Sequence, residues 1–298
     1  MMGLFSKLVV PLGSGGVLWS VPGNHPWINT SGFLITPRES QITPAATKTA
    51  FLVDPTSGPS VPLVESIKDI LDVQGQRLKY LFLTHSHLVQ ISDFMSWQKE
   101  FPDLVVVASD DEIDKAAVMR AQERVGGQYS LVDTASSHKW LWRWRQFIER
   151  SPGVGPPYRF SVAHIPGHTT GHLGFLFEHD DNVFLFGGDT LSPASQRFCE
   201  DSLKKQVASL IFMRDETAAS TQANLPPNWI LPTHGDIVGR IREAGDVQRD
   251  ADAFFHGAMM KPPARLSRLQ GERRKGLRAD AQQREAGQVS CCRPPLLN

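Results

Sequence analysis

The chain has 298 residues, 41% of them hydrophobic, enough to bury one large core or two small ones. Its 31 basic and 31 acidic residues cancel, which excludes a global electrostatic drive toward nucleic acid or an anionic membrane. The three cysteines, Cys199, Cys291 and Cys292, form no C-x-x-C and no disulfide framework, so a reducing, cytoplasmic compartment is expected.

In chain order, Lys7 precedes only Leu8-Val9-Val10 before Pro11, too short and broken an apolar stretch for a secretion signal. No later run reaches the length of a transmembrane helix. Apolar stretches flanking Gly13-Ser14-Gly15-Gly16 between Lys7 and Pro22 predict a hairpin. Strands are expected at Ile28–Ile35 and Thr49–Asp54, the second ending at Asp54-Pro55. Val64, Ile67, Ile70 and Leu71 share one face of a helix stopped by Gly75, and Leu78 to Leu83 reads as a buried strand. Ile91 to Phe101 is a short helix with Trp97 inward, and Leu104 to Ala108 another buried strand. Ser109 with Glu112 three residues on predicts a capping box opening a helix to Val125. This strand and helix alternation is half of an α/β layered domain.

Trp140, Trp142 and Trp144 alternate with Leu141 and Arg143. They could form an aromatic lip over a cleft or a base-stacking surface, but no wider basic field supports the latter. A half-buried strand or helix, with arginine stems covering apolar surface, is the preferred reading. Strands are expected at Arg159–His164, His172–Phe177 and Val183–Phe186, with a tight turn at Asp180-Asp181-Asn182. That hairpin would place His168 and Asp189 at one end of a sheet. A helix within Lys204–Ala219, a strand at Trp229–Leu231 and a closing helix from Val238 to Ala258 complete residues 1–260, read as one domain. Residues 261–298 are basic with few large apolar side chains. They are expected to be a disordered tail, either solvated or an interaction arm.

The stretch Leu83-Thr84-His85-Ser86-His87-Leu88-Val89-Gln90 leaves the strand at 78–83. In an extended chain residues i and i+2 share a side. His85 and His87 would therefore present two imidazoles together, a metal-ligand geometry, although two ordinary loop histidines would read the same way. Pro166-Gly167-His168-Thr169-Thr170-Gly171-His172, Gly187-Gly188-Asp189-Thr190 and Leu231-Pro232-Thr233-His234-Gly235 follow. Each puts a His or Asp after an apolar run.

These four stretches, in this order and spacing, resemble the motifs of the metallo-β-lactamase-fold hydrolases, glyoxalase II among them: T-H-x-H-x-D-H, P-G-H-T-x-G-H, G-D and P-x-H-G. The resemblance implies an α/β fold, the four-layer αβ/βα sandwich with two sheets packed face to face and helices outside. It implies His85, His87 and His168 as ligands of a first metal, Asp189 as a bridging carboxylate and His234 as a ligand of a second metal. His172 is implied to lie near the site without ligating. An Asp closing the second of two early strands is also usual in the family. Asp54 matches it, and could orient a ligating His or simply cap its turn. The chain departs from the pattern at Val89 and Gln90, where the family has Asp and His.

A catalytic zinc keeps three protein ligands and a water whose pKa falls to about 7. Val89 offers no donor and Gln90 only a carbonyl oxygen, which leaves Asp189 and His234 for a second metal, so one zinc is expected. The missing Asp also removes the carboxylate that orients the attacking water, a role Asp189 and His234 could fill in part, His234 as a proton shuttle. The expected function is a mononuclear zinc hydrolase whose metal-bound hydroxide attacks a small-molecule thioester, lactone or phosphoester. One alternative is a catalytically impaired relative kept for binding, which Val89 and Gln90 favour and the retained ligands oppose. The other is a mononuclear Fe2+ oxygenase similar to persulfide dioxygenases, which nonetheless keep the Asp-His pair. No nucleic-acid or membrane partner is expected, and the oligomeric state is left open. Specificity is assigned to loops such as 126–157 and 191–203.

Overall fold

A computed structural model describes residues 9–12, 16–22, 31–37, 48–55, 58–87, 91–136, 138–149, 158–191, 200–221, 227–233 and 238–239. Val89, Gln90, His234, the stretch assigned to the closing helix beyond Gly239, and the 261–298 tail lie outside them.

The first half alternates as its periodicity predicts. Strands β1 (Val9–Leu12), β2 (Gly16–Pro22), β3 (Ser31–Thr36) and β4 (Thr49–Val53) form an antiparallel meander. Strands β5 (Arg77–Phe82), β6 (Val105–Ser109) and β7 (Gln128–Val132) then add in parallel, in the sheet order β1-β2-β3-β4-β5-β6-β7. Parallel neighbours need a crossover. Helices α1 (Val61–Gln74), α2 (Ile91–Glu100) and α3 (Lys115–Val125) supply it. Helix α1 buries Leu63, Val64, Ile67 and Leu71 and ends at Gly75, whose φ of 60° is the left-handed cap that glycine adopts without strain.

The second half runs β8 (Arg145–Glu149), β9 (Tyr158–His164), β10 (Leu173–His179) and β11 (Asn182–Phe186) as an antiparallel meander. Helix α4 (Glu200–Ser220) carries the chain to β12 (Trp229–Leu231), parallel to β11, and β13 (Val238–Gly239) closes the sheet.

Side chains alternate across each strand, and both faces are apolar because both are covered. On β4, Phe51 and Val53 enter the core between the sheets while Ala50 and Leu52 face the helices. On β11, Phe184 and Phe186 enter the same inter-sheet core while Val183 and Leu185 face α4. Phe82 of the first sheet lies flat on Phe160 of the second, with centroids 4.1 Å apart and planes 4° from parallel. The layers are therefore helix, sheet, sheet, helix.

Four expectations are corrected. Helix α3 is capped by Asp114, which accepts from the amides of Ala116 and Ala117, and not by Ser109. Ser109 stays in register opposite Val132 and closes β6, because its hydroxyl bonds Thr134. Within the region read as loop, β7 and β8 form two strands at sheet edges, where partial exposure leaves a weak apolar pattern. The tryptophan stretch is not one regular element. It is a 3-10 turn (His138–Trp140), then an isolated bridge from Leu141 to His164, and Trp142 takes a φ of 46° before β8 begins. Val238 starts a strand on β12 and not a helix.

Candidate metal centre

Four ligand-bearing side chains meet where the two sheets end together. His85 lies just past β5, whose path continues through Leu83, its amide donating to the Val107 carbonyl. His87 follows two residues on and is exposed. His168 comes from the loop between β9 and β10, and Asp189 from the 3-10 turn Gly188–Leu191 that ends β11. One ligand atom from each of His85, His87, His168 and Asp189 falls within 4.8 Å of the other three. His168 Nε2 is 2.9 Å from His87 Nδ1 and 3.3 Å from Asp189 Oδ2, and His85 Nε2 is 3.6 Å from the same oxygen.

The orientation of His85 follows from hydrogen bonding. Thr84 donates its amide to Asp54 Oδ1 at 2.7 Å and its hydroxyl to Asp54 Oδ2 at 2.8 Å. Having given up its one hydroxyl proton, Thr84 can only accept from His85 Nδ1, 3.0 Å away. The proton of a neutral His85 therefore sits on Nδ1 and the lone pair on Nε2, the tautomer a metal needs. That Nε2 is buried and makes no hydrogen bond. A cation beside it would satisfy it, and imidazole with carboxylate is a donor set that zinc accepts. The residues present thus fit a divalent metal.

Burial pushes the Asp54 carboxyl up, against the opposing pull of His85 and of its three hydrogen bonds. For His85 burial opposes the charged form, but Asp189, Asp54 and Glu112 outweigh it and raise the pKa. Asp54 also accepts from the Thr233 hydroxyl at 3.0 Å. Thus the residue before His234 is tied to the carboxylate that holds Thr84. Of the two readings of Asp54, the positioning of a histidine is the one its contacts match, through Thr84.

His172 is wholly buried and stacks on His85, with centroids 4.9 Å apart and planes 16° from parallel. Burial, then the neighbouring His85 and His168, hold its pKa well below the ordinary histidine range, so it packs there neutral. Gly188, at a φ of 53°, lets the Asp189 turn pass over it. A Cβ there would stand 2.4 Å from Thr84 Oγ1 and 2.7 Å from the His172 ring.

The other two described histidine side chains, His164 and His179, are not part of the cluster. His164 Nε2 lies 2.7 Å from the Thr170 carbonyl and His179 Nδ1 3.5 Å from Asp180. His25, His256 and the side chain of His138 lie outside the described residues.

Sequence reasoning missed several supports. Glu112, read as part of a capping box, instead accepts from the amide and hydroxyl of Ser86 and from the amide of Gly171. From α4, Gln206 donates to the Thr190 carbonyl and Ser209 to the Pro166 carbonyl, steadying the Asp189 and His168 loops. Trp142 donates its indole N–H to Ser209, and Trp144 to Thr217. Partners far apart in sequence leave no local signal. The indole donors show that two of the three tryptophans anchor α4.

Residues 42–234, more than half of the chain, match the model of the metallo-beta-lactamase superfamily. The chain is 30% identical over 146 residues to the hydroxyacylglutathione hydrolase GloC of Haemophilus influenzae, a match covering 48% of this chain and 62% of that protein. It is 27% identical over 150 residues to the hydroxyacylglutathione hydrolase of Crocosphaera subtropica, covering 49% and 47% respectively. The chain thus spans less than two thirds of the length of either relative. Among solved structures, the metallo-beta-lactamase from Hirschia baltica superposes with a TM-score of 0.50 at 15% identity, over 83% of this chain and 97% of that one, a likeness of fold.

Proposed function

The chain belongs to the metallo-β-lactamase superfamily, and from that premise we propose that it is a metal-dependent hydrolase with one zinc per chain held by His85, His87, His168 and Asp189. The observation that carries this reading is the convergence of those four ligand atoms within 4.8 Å. The proposed substrate is a small molecule with a thioester, lactone or phosphoester bond. The thioester is the first choice, because the two curated relatives are hydroxyacylglutathione hydrolases.

A bound zinc would supply Lewis acidity and lower the pKa of a coordinated water to about 7. The protein's own share begins with Thr84 and Asp54, which hold His85 in the ligating tautomer. Asp189, with Oδ2 between His85 and His168, is placed to hold a proton released at the site. His234 is proposed to pass a proton onward, in the absence of the carboxylate that Val89 replaces. No helix among the described residues is long and apolar enough to cross a membrane. A cytoplasmic location and a small-molecule partner are part of the proposal.

The test is turnover of an acylglutathione thioester, a lactone and a phosphoester by the full chain, before and after chelation. Chelator-sensitive hydrolysis of one class, lowered at least about tenfold in His234→Ala, is the expected result. Unchanged turnover in His234→Ala would remove the shuttle, and no hydrolysis of any class would overturn the hydrolase reading.

A further inference from the structure

The metal-ligand loops come from different sheets, and one carboxylate joins them. Glu112 stands in the turn after β6. Its Oε2 accepts from the Ser86 amide at 3.1 Å and the Ser86 hydroxyl at 3.0 Å, and its Oε1 accepts from the Gly171 amide at 3.0 Å. Ser86 lies between His85 and His87, and Gly171 between His168 and His172. We propose that Glu112 is a positioning residue that sets the separation of the His85–His87 pair from His168 before any metal arrives. This rests on the metal-centre reading above.

Three features support it. Three donors converge on two oxygens, and an ionised acceptor makes bonds roughly twice as strong as a neutral one. The turn carrying Glu112 is itself fixed. Asp110 accepts from the amides of Thr134 and Ala135 and pairs with Lys115, while Ser109 Oγ bonds Thr134 and accepts from the Asp111 amide. Finally, the Gly171 loop is pressed against that turn. A Cβ on Gly171 would lie 2.3 Å from Ser109 Oγ, 2.7 Å from Asp111 Cβ and 3.0 Å from Glu112 Cγ, so only the smallest residue permits this approach. A backbone bond from the Leu173 amide to the Thr84 carbonyl, 2.8 Å, also crosses between the sheets. It fixes the roots of the loops, whereas Glu112 fixes the residues beside the ligands.

Glutamine at 112 would keep the size but offer one accepting oxygen, turning an amide N–H toward a donor. Alanine would remove all three bonds. The experiment compares the full-length wild type, Glu112→Gln, Glu112→Ala and the distant core variant Leu71→Ala. Zinc affinity is read by competition with a chromophoric chelator, and exchange of the Ser86 and Gly171 amides is read without metal. Affinity should fall in the order wild type, Glu112→Gln, Glu112→Ala, the last by about 10–100-fold. Both amides should lose protection together in Glu112→Ala, while Leu71→Ala loses stability at unchanged affinity. Wild-type affinity in both Glu112 variants, or loss of protection at only one amide, would overturn the proposal. A wild type that takes up no zinc would overturn the metal-centre reading, and the exchange data would then decide on their own whether Glu112 joins the loops.

Discussion

Thr84 shows how much of the site depends on one small side chain. Its hydroxyl bonds Asp54 and His85 at once, so a valine of similar shape leaves the Nδ1 proton of His85 without an acceptor and Asp54 with one donor fewer. Thr84→Val should weaken zinc binding by about 10–100-fold, while Thr84→Ser stays close to wild type, as measured by chelator competition. Equal affinity in Thr84→Val would show that the Thr84 hydroxyl does not orient His85. The clustering of His85, His87, His168 and Asp189 was legible in the sequence because the stretches that carry them follow short apolar runs and their spacings match known motifs. Thr84 stood in that same motif without its role being legible. Its partner Asp54 is 30 residues away, and only folding shows that β4 and β5 end side by side.

At the scale of elements, the turn from Ser109 to Asp114 separates what pattern can and cannot reveal. The Ser-x-x-Glu spacing fits a helix start, but the chain first makes a turn latched to Thr134, and α3 opens five residues later than expected. The strands β7 and β8 were missed for a related reason: edge strands are covered on fewer sides and carry weak alternation. The largely buried β4, β6, β9, β10 and β11, and the buried end of β5, by contrast, were legible as apolar runs. The latch also makes a pH prediction. Burial raises the pKa of Asp110, but bonds from Lys115, Thr134 and Ala135 outweigh it and hold it down at about 2. A carboxyl depressed on folding contributes stability that is complete above its ordinary range near pH 4 and is lost as pH falls through about 2. Asp110→Ala should therefore cost about 1 kcal/mol at pH 7, allowing for solvent screening, with the difference from wild type closing toward pH 2. Urea midpoints at several pH values measure it, and a pH-independent difference would assign the cost to packing.

Across the whole molecule, the two halves are joined by an aromatic core and, at one edge, by the ligands. Phe82, Phe160, Phe175 and Phe177 pack between the sheets, and Phe160 meets Phe51 and Phe82 of the first sheet and Phe175 and Phe177 of its own. Phe160→Ala should lose about 3–5 kcal/mol, read from denaturant unfolding. A loss below about 1 kcal/mol would mean that the sheets close over the cavity. The helix, sheet, sheet, helix layering was legible from the resemblance and from doubly apolar strands, whereas the ties that align the ligand loops were not. A metal held by both halves in the folded state alone also stabilises that state by mass action.

The most direct test of the account is metal stoichiometry of the full-length chain, purified with zinc, iron and manganese available, by elemental analysis and native mass spectrometry. One tightly held zinc per chain, lost in His168→Ala, is the result predicted. Iron in its place, with oxygen consumption, would contradict the hydrolase. No metal above background would contradict the centre itself.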